Sequence, residues 1–320
     1  MTDPADGTGE DDTGVGDTGG GDANDGDDRT FHVDGELVPA SAATVSVRDR
    51  GFMYGDGAFE TMRAYGGEVF RWDAHADRLA GACETLALDH GLSAVDLRER
   101  VRATLAANDL AEAYVKLSVT RGAQPGTLTP DPEVDPTVVV QVAPLSRGGV
   151  DGDPTWDDPA TVQTVTTRRI PDDCLPSDAK THNYLNEILA TLELRRARGG
   201  GLDADVALQR DLDGAVASGA SSNVFVVVDD ALLTPSLDGP VLPGITRETV
   251  LDIAESEGIP TRETTLSADD VRSAEEAFLT NSTWELRPVA SVDGIDVGGG
   301  PLTELLGRLF DRRVEREHYG

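Results

Sequence analysis

The sequence contains very little lysine. Lys116 and Lys180 are its only lysines, and arginine supplies the rest of the 27 basic residues, against 59 acidic residues and a formal net charge of −32. Without a basic patch to neutralise phosphates, we expect no nucleic-acid partner. A folded, very acidic, lysine-poor chain is typical of adaptation to high salt, where repulsion between charges is strongly screened.

Cysteines and long apolar runs are scarce as well. Cys83 and Cys174 are too few for a disulfide framework and lack metal-site spacing, so we expect two plain thiols in a reducing cytosol. No run of about eighteen apolar residues predicts a membrane span, and the start of the sequence shows no apolar signal segment. We therefore expect a cytoplasmic protein with no membrane partner and no metal.

What the chain does contain is unevenly distributed. Residues 1–28 hold ten acidic residues and eight glycines, with hardly any large apolar side chain. Burial cannot offset the entropy of ordering such a segment, which predicts a disordered acidic tail; a docking arm is the alternative. Hydrophobic residues make up 38% of the whole chain, which is enough for a large core.

The rest of the chain mixes strand and helix patterns without strict alternation, which predicts an α+β or mixed α/β fold. We expect a small domain over 29–145, a linker rich in Gly, Pro and Asp over 146–160, and a large domain over 161–320. The first predicted elements are a hairpin at Asp34-Gly35, short strands in 45–70, helices over 73–88 and 94–108, and a strand over 112–122. The later ones are strands over 161–170, 205–210 and 222–235, helices over 183–201 and 242–258, and a strand, loop and strand over 275–294.

Two of these helices carry packing expectations. In the helix over 73–88, one side holds Leu79, Cys83 and Leu86. In the helix over 183–201, glycines form the end, and the side chains expected to pack inward are Tyr184, Leu185, Ile188, Leu189 and Leu192.

Lys180 stands out because of its chemistry. It lies in the polar stretch PSDAKTHNYL, just ahead of a predicted helix. Unlike a guanidinium, its amine can lose a proton and attack a carbonyl, and burial near other cations favours this. A surface lysine is the alternative, which the scarcity of lysine in this chain disfavours.

Two short motifs are suggestive only in combination. In LPGITRET, Gly244 permits a sharp turn, and Thr246 is predicted to be the N-cap of a helix whose first N–H groups could bind an anion. The motif TNST, residues 280–283, places hydroxyl and amide groups between two strands. Each motif alone fits an ordinary turn or a polar loop.

Six motifs appear in one recognisable order: DRGFMYGDGAFETMRAY, HADRL, AKTHNYL, SNVF, LPGITRE and TNSTWELRPV. In this order and spacing, the sequence resembles the class IV (fold-type IV) family of pyridoxal-phosphate enzymes from about Phe31 to the C-terminus. The family includes branched-chain and D-amino-acid aminotransferases and aminodeoxychorismate lyase. The resemblance implies a pyridoxal 5'-phosphate cofactor, a two-domain fold, and a homodimer whose active sites borrow a loop from the neighbouring subunit.

The resemblance also implies roles for individual residues. Lys180 matches the lysine that bonds covalently to the cofactor, and Tyr54 falls where substrate-side tyrosines lie. Cofactor contacts are implied for Arg78, Tyr184, Leu242, Ile245, Thr246, Ser282 and Thr283. Of these, the residues implied to hold the phosphate are Arg78, Ile245, Thr246, Ser282 and Thr283. From the residues alone, Arg78 could instead be a helix-surface arginine and Tyr184 an aromatic core anchor.

One position departs from the family pattern. Where the family has a glutamate that keeps the pyridine nitrogen protonated, this chain has Ser218, in VASGASSNVF. A hydroxyl stabilises a pyridinium less than a carboxylate does, so the ring becomes a weaker electron sink. The substitution weakens the case for efficient transamination. It suits an elimination with an intrinsically stable product, or a paralogue of low activity.

The pattern around Lys116 favours the lyase. In KLSVTRG a lysine precedes a small hydroxyl residue and then Arg-Gly, as in the lyase, which implies substrate contacts for Lys116 and Arg121. Branched-chain enzymes usually have arginine at the Lys116 position, and the carboxylate-binding arginine and histidine of D-amino-acid enzymes fall on Gly126 and Leu128. We therefore expect 4-amino-4-deoxychorismate to yield pyruvate and 4-aminobenzoate, a folate precursor. The alternatives are a branched-chain or D-amino-acid aminotransferase and, for Lys116, a protective edge-strand lysine.

Overall fold

The computed structural model describes residues 28–149, 154–198 and 204–320. The predicted acidic tail up to residue 27 and the glycines predicted to end a helix at 199–201 lie outside this part. Within it, the chain forms two sheets with accompanying helices, which confirms the mixed α and β fold. The linker at 146–160 stays a prediction.

The first sheet is antiparallel and lies in the N-terminal part of the described chain. Its six strands are β1 (Thr30–Val33), β2 (Glu36–Pro39), β3 (Gly57–Tyr65), β4 (Glu68–Val69), β5 (Ala113–Thr120) and β6 (Thr137–Pro144), in the spatial order β2-β1-β6-β5-β3-β4. Its helices are α1 (Arg50–Tyr54), α2 (Trp72–Thr85) and α3 (Ala94–Ala107). Helices α2 and α3 pack against the sheet, and Leu79, Cys83 and the partly buried Leu86 join this core as predicted.

The second sheet is mixed. Its nine strands are β7 (Ala160–Thr164), β8 (Val206–Arg210), β9 (Val216–Gly219), β10 (Asn223–Val228), β11 (Ala231–Pro235), β12 (Thr261–Thr264), β13 (Glu276–Asn281), β14 (Glu285–Val292) and β15 (Ile295–Asp296). The spatial order is β12-β11-β10-β13-β14-β7-β8-β9, and β15 pairs with β14. The accompanying helices are α4 (Leu185–Arg198), α5 (Ile245–Ser256), α6 (Ala268–Arg272) and α7 (Pro301–His318).

Aromatic side chains join the two sheets into one body. Tyr65 ends β3, Phe70 follows β4, and both belong to a buried cluster with Phe225 and Phe278 of the second sheet. Phe310 of α7 packs on Phe70, with ring centroids 5.4 Å apart. Because burying apolar surface is the main favourable term in folding, this shared core fixes the strands of one sheet relative to the other.

The prediction of short strands over 45–70 holds for β4 and was wrong for residues 50–65. The Asp49 side chain accepts hydrogen bonds from the N–H groups of Gly51 and Phe52, which begins the short helix α1, and Gly55 ends it with φ of 71°. The following strand, β3, runs unbroken for nine residues because it pairs with β5 along almost its whole length. This distant pairing outweighs the local effect of the glycines.

The inward packing predicted for α4 was also wrong for three of its side chains. Leu185, Ile188 and Leu189 are 66%, 51% and 43% exposed, whereas Ala190 and Leu194 are buried. The helix contacts β8 through this narrower face. Its broad apolar face therefore remains uncovered in the single chain.

The single strand predicted over 222–235 is a hairpin. Strands β10 and β11 pair in antiparallel fashion around Asp229 and Asp230, and both aspartates have positive φ values, of 51° and 59°. Two successive residues with positive φ are the signature of a tight hairpin turn, which aspartate tolerates better than most residues. Strands β6 and β9 and helix α7 were not predicted from the sequence.

Candidate active site

Lys180 lies in the loop before α4, and this loop is held against the start of β3. Thr181 forms a β-bridge with Ala58, and the N–H of Phe59 donates to the carbonyl of Lys180 at 3.0 Å. The Nζ atom of Lys180 donates a 2.6 Å hydrogen bond to the hydroxyl of Tyr184 and lies 4.5 Å from the centroid of the Phe59 ring. The amine is therefore held in place by backbone pairing, one hydroxyl and one aromatic face.

A cavity of about 650 Å³ opens in front of Lys180, and both sheets contribute to its wall. Among the site residues predicted from the sequence, it brings together Arg78, Lys116, Lys180, Tyr184, Ser218, Leu242, Ile245, Thr246, Ser282 and Thr283. Tyr54 and Arg121 do not line it. The volume is in the range of ordinary cofactor and ligand sites.

Arg78 is fixed by a buried cluster that local sequence patterns did not predict. Its guanidinium donates to both carboxylate oxygens of Glu60, at 2.8 and 2.6 Å, and to the carbonyl of Pro243 at 2.8 Å. Nδ1 of His75 lies 2.7 Å from the same carboxylate. Burial alone would raise the pKa of Glu60, but the charge and hydrogen bonds of Arg78 lower it to about 2. Arg78 is thus a buried cation in the cavity wall and not a helix-surface arginine.

The N-terminus of α5 forms the adjoining wall. The N-cap is Gly244, which makes no side-chain hydrogen bond, so the prediction of Thr246 as N-cap was wrong by two residues. A Cβ atom at Gly244 would lie 2.0 Å from the Asn223 amide oxygen, so a larger residue here would have to displace the Asn223 side chain. Without a capping side chain, the first N–H groups of α5 suit an anion, and Ile245 and Thr246 face the cavity.

The loop between β13 and β14 completes this end of the cavity. Ser282 and Thr283 line it, and the Asn281 side-chain oxygen accepts from the Thr283 N–H at 3.0 Å. The carbonyl of Thr283 accepts from Arg63 at 2.9 Å and from the Thr155 hydroxyl at 2.6 Å. Arg63 lies on β3, so the first sheet braces a loop that belongs to the second.

These groups fit a pyridoxal phosphate. A buried arginine, an uncapped helix N-terminus and a hydroxyl-bearing loop suit a phosphate, and the Lys180 amine suits an aldehyde. The buried hydroxyls of Thr280 and Ser222 belong to residues that also line the cavity, and they have no hydrogen-bond partner among the described residues. Buried polar groups normally have partners, so these two indicate that a polar ligand belongs here.

Lys116 lines the cavity from β5 and lies close to the Phe59 ring. Its Nζ atom is 5.0 Å from the ring centroid, and its neighbour across the strands, Thr61, also lines the cavity. Burial, and after it the charge of Lys116, lowers the pKa of His182. Strand β5 lies between β3 and β6, so Lys116 is not an edge-strand lysine. Tyr114 lines the cavity too; its spacing of two residues from Lys116 was the missed signal.

Tyr54 and Arg121 lie elsewhere. Tyr54 is 37% exposed on α1, where its ring packs under the guanidinium of Arg50. Arg121 is buried and donates to both carboxylate oxygens of Asp56 and to the carbonyls of Leu86 and Ala87. Its donors therefore secure the fold around α2 instead of facing the cavity.

Ser218 lines the cavity from β9 and is buried. The carboxylates that share the cavity wall are already paired, Glu187 with Arg169 and Asp205 with Arg287. In the part of the chain that the structure describes, the wall thus holds no unpaired carboxylate to replace the one that Ser218 lacks.

Other features of the described residues are simple to state. They contain no cluster of three or more His, Cys, Asp or Glu side chains suited to a metal ion, and no helix long and apolar enough to cross a membrane. Cys174 is exposed, whereas Cys83 is buried, and burial raises the pKa of its thiol to about 11.

Comparisons with known proteins agree with this arrangement. A family model described as amino-transferase class IV matches residues 57–292. A protein of Methanocaldococcus jannaschii, assigned as a branched-chain-amino-acid aminotransferase, is 35% identical over 88% of this chain and 94% of its own.

Two solved structures are similar as well. The branched-chain aminotransferase of Thermoproteus uzoniensis, determined with norvaline, has a TM-score of 0.81 at 30% identity and covers 91% of this chain and 96% of its own. A Legionella pneumophila protein, assigned as a 4-amino-4-deoxychorismate lyase, has a TM-score of 0.75 at 25% identity and covers 85% and 96%.

Proposed function

Because the chain belongs to the class IV aminotransferase family, whose members use pyridoxal 5'-phosphate, we propose that it is a 4-amino-4-deoxychorismate lyase. The observation that carries this proposal is the placement of two amines on one aromatic ring. Lys180 and Lys116 lie 4.5 and 5.0 Å from the centroid of Phe59. The first amine faces the reacting centre, and the second is a cation suited to a carboxylate at the far end of a cyclic substrate.

The protein's own groups divide the work. Arg78, the N-terminus of α5 and the Thr283 loop would hold the phosphate, and Leu242 and Tyr184 would border the ring, since all of them line the cavity. When bound, pyridoxal phosphate supplies an electron sink for the carbon that carries the substrate amine. Lys180 takes the proton from that carbon as general base. The neighbouring C–O bond then breaks, the ring becomes aromatic, and the departing enolate of pyruvate receives a proton.

Ser218 supports the lyase over transamination. A weak electron sink slows the reprotonation cycle of amino transfer, but aromatisation of the product favours elimination whatever the sink. Lys116 supports it as well, because the substrate carries a ring carboxylate opposite its amine.

A branched-chain aminotransferase is the second candidate. It is supported by the 35% identity and the 0.81 TM-score to proteins so described. Here Lys116 would bind the side-chain carboxylate of glutamate, and Lys180 would carry the proton between substrate and cofactor carbons. A D-amino-acid aminotransferase has less support, because Gly126 and Leu128 cannot bind a carboxylate through their side chains.

A direct assay separates these candidates. Holoenzyme is mixed with 4-amino-4-deoxychorismate and pyruvate is followed; in parallel, glutamate formation is measured from 2-oxoglutarate with valine or D-alanine. We expect pyruvate release to be faster, and Lys116→Met to raise KM for the carboxylated substrate about tenfold or more, with Lys116→Arg as the charge-conserving control. Glutamate formation from valine at a comparable rate would contradict the lyase proposal.

We also propose a homodimer. Six large apolar side chains on two helices are between 37% and 73% exposed: Phe52, Met53 and Tyr54 of α1, and Leu185, Ile188 and Leu189 of α4. Monomeric proteins rarely leave so many large apolar side chains uncovered. Light scattering should give a molecular mass twice the 33.8 kDa of the chain. Phe52→Glu should lower the measured mass towards that of a single chain. The predicted cytoplasmic location stays a prediction.

A further inference from the structure

Gln209 carries a buried acceptor with no partner, beside the position where the family pattern loses its carboxylate. Gln209 is 0% exposed, and its Oε1 atom makes no hydrogen bond to any residue that the structure describes. On the β8–β9 ladder it stands directly opposite Ser218. Directly opposed residues in an antiparallel pair project to the same face, with Cβ atoms about 5 Å apart. The buried acceptor therefore lies on the same face of the strand pair as the Ser218 hydroxyl, and Ser218 lines the cavity.

A chain of amides fixes which end of the Gln209 side chain is the acceptor. The backbone carbonyl of Arg168 accepts from Nδ2 of Asn186 at 2.8 Å, which leaves Oδ1 of Asn186 to accept from Nε2 of Gln209 at 3.2 Å. Exchanging the oxygen and nitrogen of either amide would set two acceptors or two donors against each other. The Oε1 atom of Gln209 is therefore the group left for Ser218.

We propose that Gln209 is a positioning residue whose Oε1 atom accepts a hydrogen bond from the Ser218 hydroxyl when the cofactor is bound, so that the serine oxygen presents a lone pair towards the cavity. The proposal rests on the correspondence of Ser218 with the residue that faces the pyridine nitrogen. An oriented acceptor favours the protonated nitrogen, whereas a freely rotating hydroxyl would donate to the neutral one. Gln209 thus supplies, without a charge, part of what the missing carboxylate would do.

The neighbouring strand β7 offers a control residue for Gln209. The inward face next to Gln209 includes Ala207, which lines the cavity, and Gln163 of β7, which pairs with Ala207. Gln163 is half-buried, does not line the cavity, and donates to the carbonyl of Thr164 at 3.3 Å. Replacing Gln163 by leucine therefore makes the same chemical change on the same face, away from Ser218.

The experiment measures the protonation of the nitrogen itself. Holoenzyme is prepared with pyridoxal phosphate labelled with ¹⁵N in the ring, and the nitrogen is titrated by NMR. We expect Gln209→Leu to lower the nitrogen pKa by about one unit, the worth of one hydrogen bond to a charged partner. Gln209→Glu should raise it, because a carboxylate behind Ser218 strengthens the acceptor. Gln163→Leu should leave it unchanged.

Each outcome decides the question. If Ser218→Ala shifts the pKa and Gln209→Leu does not, Gln209 has no part and the proposal fails. If neither does, Ser218 does not face the nitrogen and the proposal fails for that reason. A merely structural role would make Gln209→Leu and Gln209→Glu shift the pKa in the same direction. Failure of the lyase assay with these shifts intact would overturn the proposed function and not this inference. Should Gln209→Leu not fold, the opposite shifts of Gln209→Glu and Gln209→Met decide it.

Discussion

The two ends of the cavity are built on different electrostatic principles. In the part of the wall that we propose binds the phosphate, Arg78 is held by the ionised Glu60, and Arg63 braces the Thr283 loop from the other sheet. In the part that we propose faces the pyridine nitrogen, Ser218 is neutral, and so is Gln209, its partner across β8 and β9. A phosphate always carries charge and needs fixed cations and N–H donors. A hydrogen-bonding group without charge shifts the protonation of a pyridine nitrogen less than a carboxylate does. The charged end is therefore suited to binding the phosphate, and the neutral end to setting the pKa of the pyridine nitrogen.

The largest effect is expected when the charged end loses its carboxylate. Glu60→Gln leaves Arg78 and His75 buried without their common partner. Breaking a buried ion pair in this way costs about 3–5 kcal/mol, so cofactor affinity and the midpoint of thermal unfolding should both fall. Cofactor titration and calorimetry measure these changes.

The matched control is Glu68→Gln. Glu68 pairs with Arg98 and Arg102 in the same part of the molecule, but its side chain is 41% exposed. Exposed pairs contribute about 0–1 kcal/mol. Equal losses for the two variants would remove the distinction between a buried holding cluster and an ordinary surface pair.

A second prediction concerns the pH dependence of the stability that Glu60 contributes. The pKa of Glu60 is lowered from the ordinary 4.5 to about 2, so its contribution is complete above the ordinary value and is lost as the pH falls towards 2. The difference in unfolding free energy between parent and Glu60→Gln should be constant above about pH 5 and shrink below it. Denaturant titrations from pH 6 to pH 2 measure this. A difference that grows in acid would contradict the charge assignment.

Introducing a charge at the neutral end should have an intermediate effect. Ser218→Glu places a carboxylate next to the nitrogen and should raise the nitrogen pKa by about 1–3 units. We expect faster glutamate formation from 2-oxoglutarate and an altered absorbance titration of the cofactor. Ser218→Thr keeps the hydroxyl and serves as control. Identical spectra and rates for parent and Ser218→Glu would show that this position has no influence on the ring.

The smallest effect is expected from removing one of the two hydrogen bonds to the carbonyl of Thr283. Thr155→Val removes one hydrogen bond to the Thr283 carbonyl and keeps the side-chain shape, while the bond from Arg63 remains. The loss of about 1 kcal/mol predicts roughly fivefold weaker cofactor binding. Thr127→Val, at an exposed hydroxyl bonded to the carbonyl of Thr129, should change nothing. If Thr155→Val weakened cofactor binding as much as Glu60→Gln does, the hydrogen bond from Arg63 would not be enough to hold the Thr283 loop.

The sequence anticipated the charged end better than its support. Arg78, Ile245, Thr246, Ser282 and Thr283 lie in motifs of recognisable order, and all line the cavity. The groups that fix them were missed, because Glu60, His75 and Arg63 show no local sign of their partners. Arg63 donates to the carbonyl of Thr283, 220 residues away. A contact of that kind follows from the pairing of strands, which no local pattern contains.

The same limit explains the errors. Leu185, Ile188 and Leu189 of α4 were assigned inward because an apolar face normally has a partner, but they are exposed in the described part of the chain. Lys116 remained ambiguous between an edge strand and a site until the strand order placed β5 in the interior of its sheet. Arg121 was predicted to contact the substrate because of its neighbours in sequence, but in the structure it forms an ion pair with Asp56.

By itself, the sequence determined which chemistry is possible: a rare amine that can attack a carbonyl, a glycine that permits a sharp turn ahead of a helix, and a serine where a carboxylate would be expected. These properties depend on the covalent structure of each residue and do not require a particular fold. Only the tertiary structure decided which groups meet. The pairing of Glu60 with Arg78, of two lysines with one phenylalanine ring, and of Gln209 with Ser218 depends on strand register and burial, and both are settled by the packing of distant segments.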